Sequence, residues 1–259
     1  MDFSIIIVSY NTRELLKKCL SSIDGSYKTE IIVVDNGSTD GSVETIKKLA
    51  TRYSFGNVKF KIILNKENMG FAKAVNQGIR KASGDYILLL NSDIIVKPKA
   101  IEKMLEFVKR HPEAGVIGGR LLNPDGSIQG SCFYLPRLTR PFAGKYNPGD
   151  KPTEVEAVVG AVFLIPHQVL EKVGFFDERY FMYFEDLDYC RRVKQAGFKI
   201  YYLPSAEFIH EHGASGASLP QKAHQWLVES SKIYHGKLKY YLMTLIIWLG
   251  QRWQRFFKR

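Results

Sequence analysis

The sequence predicts an α/β protein with a mixed, mostly parallel sheet flanked by helices and an amphipathic helical extension at its C-terminus. Two observations predict this fold class. Four short apolar runs alternate with helical patterns in the first 95 residues, and polar residues directly follow three of those runs. Strands that are buried on both faces of a parallel sheet have such continuous apolar sequences. Their carboxyl ends meet at one edge, where open α/β sheets bind ligands.

The first half of the chain predicts four strands separated by three helices. Thr12 is expected to cap the first helix, whose buried face is formed by apolar residues at helical spacing up to Ile23. The strands are predicted at Phe3–Asn11, Glu30–Asp35, Phe60–Asn65 and Tyr86–Leu90, and the later helices at Val43–Tyr53 and Phe71–Lys81.

The second half has a less regular pattern. Asn123 to Gly126 form a strong turn signal that predicts a hairpin, and the Pro- and Gly-rich stretch Arg137–Lys151 predicts a mobile loop of the kind that covers a site. Further helices are predicted at Lys99–Arg110, Gln168–Val173 and Tyr189–Ala196. Further strands are predicted at Val116–Leu122, Glu156–Ile165 and Lys199–Leu203, and the following segment Ala206–Gly213 carries two histidines.

Composition limits the classes of function. The chain has 259 residues and a net charge of +11, which favours anionic partners such as nucleotides, nucleic acid or an anionic membrane surface. Its three cysteines show no paired spacing and are expected to be free thiols in a reducing compartment. The first apolar run, Phe3–Val8, is too short for a signal peptide, and no apolar run approaches the ~20 residues of a membrane span. The sequence therefore predicts a cytoplasmic protein.

The first candidate site residues lie at the ends of the first two strands and in a glycine turn. Asp35 at a strand end can accept hydrogen bonds from a nucleobase or a ribose, with Asn11 beside it, and the Asn68-x-Gly70 turn allows a backbone to approach a ligand closely. The alternative is that Asp35 only caps the next helix. The first strand is followed neither by a G-x-G-x-x-G motif nor by a Walker A motif.

The second candidate is Asp93, which follows the fourth strand and is preceded by Asn91 and Ser92. A hard cation such as Mg²⁺ prefers one or two carboxylates together with phosphate oxygens, and one aspartate plus a diphosphate satisfies that preference. The alternative is that these three residues cap the following helix.

The third and fourth candidates are an acidic cluster and a histidine pair. Glu185, Asp186 and Asp188 lie beside an aromatic run, where a carboxyl group can have a raised pKa and act as a general base. First-turn acids that complement a helix dipole are the alternative explanation. His210 and His212 could complete a metal site at Asp93, or their spacing could be incidental.

Together and in this order, these motifs resemble the GT-A glycosyltransferases of family 2, especially the bacterial rhamnosyltransferase-like branch. Each motif is weak alone, but the ordered set is specific. The matching segments span residues 5–213 and comprise Val8–Asn11, Val33–Asp40, Asn68–Ala72, Leu89–Asp93, Gly160–Ala161, Glu185–Asp188 and His210–Gly213.

This resemblance implies a GT-A fold and an inverting, metal-dependent transfer of a sugar from a nucleotide-diphosphate donor, such as dTDP-rhamnose or a UDP-sugar, to a hydroxyl of a glycan or lipid-linked acceptor. It implies that Asp186 is the general base and that Asp93 and His210 bind Mg²⁺ or Mn²⁺. Asn91 stands where many relatives have a first aspartate, which predicts weaker metal binding. The implied donor-binding residues are Ser9, Asn11, Asp35, Asn68, Gly70, Asn91, Ser92 and Asp93, and the implied acceptor-binding residues are Gly160, Ala161 and Glu185.

The C-terminal region predicts a basic amphipathic helix. Glu229 is the last acidic residue, and Leu238, Leu242, Leu245, Ile246, Leu249, Trp253 and Phe256 form one helical stripe. Such a helix suits the interface of an anionic membrane, which would place the protein peripherally at the inner face of the cell membrane. Packing on its own domain or on a second subunit, as in a homodimer, is the alternative. The predicted boundaries are a 1–215 catalytic domain, with a nucleotide-binding half at 1–95 and an acceptor half at 96–215, and a 216–259 tail.

Two other function classes are weaker hypotheses. A non-catalytic nucleotide-sugar or membrane-binding module could retain the same fold. Nucleic-acid binding is suggested by the net charge of +11, but the positive charge concentrates in the tail and no nucleic-acid motif is present. We therefore expect no nucleic-acid partner.

Overall fold

The structure is a computed structural model that describes residues 2–23, 29–53, 58–137, 140, 144–211 and 220–257. The helices are α1 Arg13–Ser22, α2 Ser42–Tyr53, α3 Phe71–Ile79, α4 Ala100–Arg110, α5 His167–Val173, α6 Glu185–Gln195, α7 Pro220–His235 and α8 Lys237–Phe257. The strands are β1 Phe3–Ser9, β2 Thr29–Asp35, β3 Lys59–Leu64, β4 Tyr86–Asn91, β5 Ile94–Val96, β6 Ala114–Leu122, β7 Cys132–Phe133, β8 Lys145–Tyr146, β9 Thr153–Glu154, β10 Ala157–Val158, β11 Val162–Pro166 and β12 Lys199–His210.

The main sheet has nine strands in the order β3-β2-β1-β4-β11-β6-β12-β5, with β9 paired to β12. Strands β1 to β4 are parallel to one another, β11 runs antiparallel between β4 and β6, and β12 is parallel to β6. The prediction of a mixed, mostly parallel sheet flanked by helices is therefore confirmed. Because β1 and β4 end side by side, Ser9 and Asn91 lie at the same edge of the sheet.

The two faces of this sheet pack against different helices. One apolar cluster joins the sheet to α1 and α4 through residues such as Leu16, Leu20 and Met104, and the other joins it to α3 and α6 through residues such as Val75 and Val193. Each fully buried Leu or Ile contributes roughly 1.5–3 kcal/mol. This packing explains why the central strands consist of uninterrupted apolar residues.

The predicted strand Glu156–Ile165 is wrong, because the structure divides it into two strands of different sheets. β10 pairs with β7 in a separate three-stranded sheet, whereas β11 pairs with β4 and β6 in the main sheet. The chain turns at Gly160 and Ala161 between them. A continuous apolar run did not reveal this turn, since both halves are buried.

Four other expectations need correction. Thr12 directs its hydroxyl to Ser92 (2.8 Å) and makes no cap hydrogen bond to α1. The segment Arg137–Lys151 contains the short strand β8, and the predicted helix Tyr189–Ala196 begins at Glu185. The strand predicted at Lys199–Leu203 continues to His210, with an irregularity between Leu203 and Glu207. His212 and the predicted boundary at 215 lie outside the described residues.

The predicted helical extension is confirmed and consists of two helices, α7 and α8, which are separated by Gly236 with a φ of +77°. The hydroxyl of Ser230 on α7 donates to the carbonyl of Met182 at 2.8 Å, and Trp226 stacks on Phe181 with 4.8 Å between ring centroids. The side chains of Leu249, Trp253 and Phe256 are outside the described part of the chain. None of the helices it describes is long and apolar enough to cross a membrane.

Candidate active site

Asp35 lies at the carboxyl end of β2 and is almost completely buried. Its Oδ1 accepts a hydrogen bond from the backbone N–H of Ser38 at 2.9 Å. Its Oδ2 is buried and has no hydrogen-bond partner among the described residues. A buried carboxylate oxygen without a partner is costly, so Asp35 can accept a hydrogen bond from a ligand at little further cost.

A network of side-chain amides joins the ends of β2 and β3 to the turn before α3. Asn36 Nδ2 donates to Asn68 Oδ1 at 2.9 Å, and Asn36 Oδ1 accepts from Met69 N at 3.1 Å. Gly70 has a φ of +86°, and a Cβ there would lie 2.8 Å from the carbonyl oxygen of Phe181. Because Gly70 has no side chain, the segment that precedes α6 can lie directly against the turn before α3. This contact connects the two halves of the site.

Asp93 and His210 meet where β4 turns into β5 beside the end of β12. Both side chains are buried, and His210 Nε2 lies 3.5 Å from Asp93 Oδ1. That Oδ1 is buried without a hydrogen-bond partner in the described part of the chain. The backbone N–H of Glu211 donates to the Asp93 carbonyl at 3.0 Å, which fixes the end of β12 beside this turn.

These two side chains fit a divalent cation that has further ligands from substrate. Ligands that each lie ~2.1 Å from one cation are separated by roughly 3–3.5 Å, and the two atoms are 3.5 Å apart. Within the described residues, no group of three or more His, Cys, Asp or Glu side chains could hold a metal alone. The donor set therefore suits an ion that also binds a diphosphate.

Glu185 and Asp186 are placed by a strained turn. The two preceding residues, Tyr183 and Phe184, have φ values of 71° and 68°. Each such non-glycine residue costs about 1–3 kcal/mol, and strain of this kind is common at functional sites. Phe184 packs against Tyr234 of α7 with 5.3 Å between ring centroids, so the C-terminal helices support this turn.

The two carboxyl groups differ in their hydrogen bonding. Asp186 accepts from Gly160 N at 3.0 Å and from Leu187 N at 2.8 Å, whereas Glu185 Oε2 is buried with no partner among the described residues. Burial raises the pKa of Asp186, and these two hydrogen bonds oppose that rise. Burial and the nearby Asp186 raise the pKa of Glu185 to about 8. The two backbone hydrogen bonds favour the charged form of Asp186, whereas Glu185, whose Oε2 has no such bond among the described residues, is the better holder of a proton.

This pair makes stability depend on pH. The pKa of Glu185 is about 8 in the folded state against an ordinary value of 4.5, so the folded protein retains a proton that the unfolded chain releases. Stability should then fall as pH rises from about 4.5 to about 8. Glu185→Gln is expected to remove most of this fall, measured as the urea midpoint at several pH values. A wild-type-like slope in the variant would contradict the assignment of the proton.

Asp188 has a structural role in this acidic cluster. Its oxygens accept hydrogen bonds from Arg191 at 2.5 Å and Arg192 at 2.8 Å. Arg191 also donates to the Tyr234 carbonyl at 3.1 Å and lies over the Tyr234 ring. Asp188 thus fixes α7 to α6, and only Glu185 and Asp186 face the site.

One cavity of about 730 Å³ joins these groups. It brings together the predicted residues Asn68, Asn91, Ser92, Asp93, Gly160, Ala161, Glu185, Asp186 and His210. The predicted residues Ser9, Asn11, Asp35 and Gly70 do not line this cavity. Ser9 contacts Thr12, and Asn11 Oδ1 accepts from Thr39 N at 2.8 Å, so both support the strand-end loops. Tyr10 and Asn36 line the cavity in their neighbourhood.

Sequence reasoning missed the side chains that reach the cavity from elsewhere. Lys145 of β8 lies close enough to Asp186 to favour its charged form. His235, at the end of α7, also lines the cavity. Burial, Lys239 and Arg191 lower its pKa to about 4, so its ring is neutral. The lining residues from α7 and α8 are Trp226, Leu227, Val228, Ser231, His235, Tyr240, Met243, Thr244 and Ile247. The helical period of the tail predicts which residues share one face of a helix, but it does not predict that residues of α7 and α8 line the cavity.

Comparison with protein families gives a match over most of the chain. The family described as Glycosyl transferase family 2 matches residues 4–174. The chain is 30% identical over 245 residues to N-acetylglucosaminyl-diphospho-decaprenol L-rhamnosyltransferase of Mycobacterium tuberculosis, which covers 82% of this chain and 76% of that protein. It is also 30% identical over 214 residues to Poly-beta-1,6-N-acetyl-D-glucosamine synthase of Staphylococcus aureus, covering 78% and 48% respectively.

Solved structures resemble the fold at low sequence identity. GalNAc-T7 with UDP, GalNAc and Mn²⁺ matches with a TM-score of 0.67 and 17% identity over 81% of this chain. The mannosyltransferase PcManGT from Pyrobaculum calidifontis, in complex with GDP-Man and Mn²⁺, matches with a TM-score of 0.63 and 16% identity over 94% of this chain. The chain spans 44% of the first of these structures and 64% of the second.

Proposed function

This chain belongs to glycosyl transferase family 2 and has the GT-A fold, and we propose that it transfers a sugar from a nucleoside diphosphate donor to a hydroxyl of a lipid-linked or glycan acceptor, with inversion. The similarity to a rhamnosyltransferase favours dTDP-rhamnose as the donor, with a UDP-sugar as the alternative, and a prenyl-diphosphate-linked sugar as the acceptor. The observation that carries this proposal is that Asp93 and Asp186 line the same cavity.

The donor side of the proposed site lies at the strand ends. Asp35 does not line the cavity but adjoins Asn36, which does, and it is the proposed acceptor of hydrogen bonds from the nucleobase because its Oδ2 is buried and unpaired among the described residues. The diphosphate then lies toward Asp93 and His210, which would hold Mg²⁺ or Mn²⁺. Such an ion would neutralise the charge that grows on the leaving diphosphate.

The acceptor side lies at the start of α6. The Asp186 carboxylate takes the proton of the acceptor hydroxyl as its oxygen attacks the anomeric carbon. The bond from that carbon to the diphosphate oxygen breaks, and its electron pair leaves with the nucleoside diphosphate. Hydrogen bonds from Gly160 and Leu187 favour the ionised form of Asp186, which a base requires. Attack and departure on opposite faces of the sugar produce inversion.

A transfer assay tests this function. Full-length protein with Mn²⁺, dTDP-rhamnose or a UDP-sugar, and a short-chain N-acetylglucosaminyl-diphosphoprenol is expected to form a product one sugar heavier, together with the free nucleoside diphosphate, detected by mass spectrometry. Nucleotide release without any glycosylated product, for every donor and acceptor supplied, would contradict the proposed transfer.

We also propose that the outer face of α8 binds an anionic membrane surface. One side of α8 lines the cavity, and the other exposes a stripe in which Leu238 is 86% exposed and Leu242 and Leu245 are each about half exposed. The sequence of α8 has no acidic residue and carries Lys237, Lys239 and Arg252. Apolar residues beside cations suit the interface of an anionic bilayer.

Vesicle binding tests the α8 stripe. The triple variant Leu238→Glu, Leu242→Glu and Leu245→Glu is expected to bind phosphatidylglycerol vesicles at least tenfold more weakly, since each buried leucine contributes roughly 1.5–3 kcal/mol. A matched control places the same three charges at exposed apolar residues elsewhere, Leu64, Ile128 and Phe175. Vesicle binding would be measured by co-sedimentation. An equal loss of binding in both variants would show that net charge determines binding, and it would contradict a role for the α8 stripe.

A further inference from the structure

We propose that Gln129 is a positioning residue for the metal site, because it holds His210 in the tautomer whose Nε2 lone pair faces Asp93. His210 Nδ1 and Gln129 Oε1 are 3.0 Å apart. If Nδ1 carries the proton and donates to this oxygen, the neutral ring has its lone pair on Nε2, which lies 3.5 Å from Asp93 Oδ1. This inference rests on the proposed function, in which the two residues bind a divalent cation.

The orientation of the Gln129 amide decides which His210 nitrogen carries the proton. Gln129 Nε2 donates to two oxygen atoms, the His210 carbonyl at 2.8 Å and Asn123 Oδ1 at 2.7 Å. Both of these atoms are acceptors only, so the NH₂ group must point toward them. The Oε1 atom of Gln129 then faces the imidazole and can only accept. His210 Nδ1 is therefore the donor.

The direction of these hydrogen bonds is set by a carboxylate at the hairpin turn. The Ser127 hydroxyl donates to Asp125 Oδ1 at 2.6 Å, and its oxygen accepts from Asn123 Nδ2 at 2.8 Å. Asn123 Oδ1 is then left to accept from Gln129. An ionised carboxylate cannot donate, and the hydrogen bonds from Ser127 lower the pKa of Asp125. Each residue therefore donates a hydrogen bond to the next along a chain that starts at His210 and ends at the carboxylate of Asp125.

The hairpin itself is built by the same residues. Gly126 N donates to the Asn123 carbonyl at 2.9 Å, and Gln129 N donates to the Leu121 carbonyl at 2.9 Å. The turn thus returns the chain beside the end of β6, next to β12, where His210 is the last residue. Histidine ligands of metal ions commonly donate their second ring N–H to such an oxygen, and loss of that partner typically weakens metal binding 10–100-fold.

Nuclear magnetic resonance of the full-length protein without metal tests the tautomer directly. The ¹⁵N signals of His210, assigned by their loss in His210→Asn, are expected to show a protonated Nδ1, and an unprotonated Nδ1 in the wild type would overturn the proposal. Gln129→Met, which keeps the side-chain length but has no oxygen acceptor, is expected to shift the ring toward the other tautomer. Gln129→Glu keeps an oxygen acceptor and should retain the Nδ1–H form. A wild-type signature in Gln129→Met would overturn the proposal.

Metal binding gives the second readout. With UDP or dTDP present, Gln129→Met should bind Mn²⁺ roughly 10–100-fold more weakly by electron paramagnetic resonance. Gln195→Met, the same change at an exposed position on α6, should bind as the wild type does. Unchanged Mn²⁺ affinity in Gln129→Met overturns the role of Gln129 alone. A wild-type protein that binds no Mn²⁺ in the presence of either nucleotide overturns the metal assignment, and this inference with it.

Discussion

Asp186→Asn is expected to lower kcat by about 10²–10⁴-fold while leaving the affinity for the nucleoside diphosphate within about twofold. The amide cannot take the acceptor proton, so the loss should appear in the transfer step. Asparagine is nearly isosteric and can still accept one of the two backbone hydrogen bonds from Gly160 and Leu187. Steady-state kinetics together with calorimetric titration of UDP or dTDP would separate the two effects.

A matched substitution controls for a general loss of negative charge. Asp177 pairs with Arg179 and does not line the cavity. Asp177→Asn makes the same chemical change and should keep kcat within about twofold. If Asp186→Asn retains wild-type turnover, another group must take the proton. If it loses nucleotide binding together with turnover, Asp186 contributes to donor binding instead.

Asp93→Asn is expected to abolish the enhancement of nucleotide binding by Mn²⁺ and to lower kcat roughly 10³-fold. Stabilisation of the leaving diphosphate by a bound ion contributes several kcal/mol, and each 1.36 kcal/mol corresponds to a tenfold change in rate. Because Asp93 Oδ1 has no hydrogen-bond partner in the described part of the chain, the substitution removes no protein hydrogen bond of that oxygen. Calorimetric titration of UDP or dTDP with and without Mn²⁺ measures the first effect.

Chelation of the wild-type protein should reproduce this loss. Nucleotide affinity that is independent of Mn²⁺ in the wild type, or equally enhanced by Mn²⁺ in Asp93→Asn, would contradict the assignment of Asp93. His210→Asn should show a smaller loss, because the carboxylate remains. The comparison therefore also ranks the two proposed ligands.

The sequence predicted the central strands because their burial follows from local composition. β1, β2 and β4 are apolar along their length and are covered on both faces, so their runs are continuous. Parallel pairing then places the residues after each strand at one edge. For this reason Asp93 could be placed near the ends of β1 and β2 from the sequence alone.

Contacts between distant segments could not be predicted in this way. The division of Glu156–Ile165 depends on β10 pairing with β7, which an apolar run does not encode. The same limit applies to Gln129, whose role depends on a strand that ends at His210. The turn signal at Asn123–Gly126 predicts the hairpin, but it does not predict that the hairpin packs beside His210 at the end of β12.

The amphipathic pattern of the C-terminal region predicts its helical structure but not its contribution to the cavity. The tail sequence has an amphipathic period, but apolar residues lie on both sides of α8. Met243 is buried beside the cavity, whereas Leu238 is 86% exposed. The sequence indicated a membrane-facing stripe and gave no sign that His235 and Trp226 would line the cavity.

The anomeric configuration of the transferred sugar tests the central claim most directly, because it reports on which face of the donor the acceptor attacks. The product of the wild-type protein with dTDP-rhamnose or a UDP-sugar and the prenyl-diphosphate acceptor would be examined by nuclear magnetic resonance. An acceptor deprotonated by Asp186 and a diphosphate leaving toward Asp93 predict a linkage of configuration opposite to that of the donor. A product with the donor's configuration would contradict this arrangement of the site.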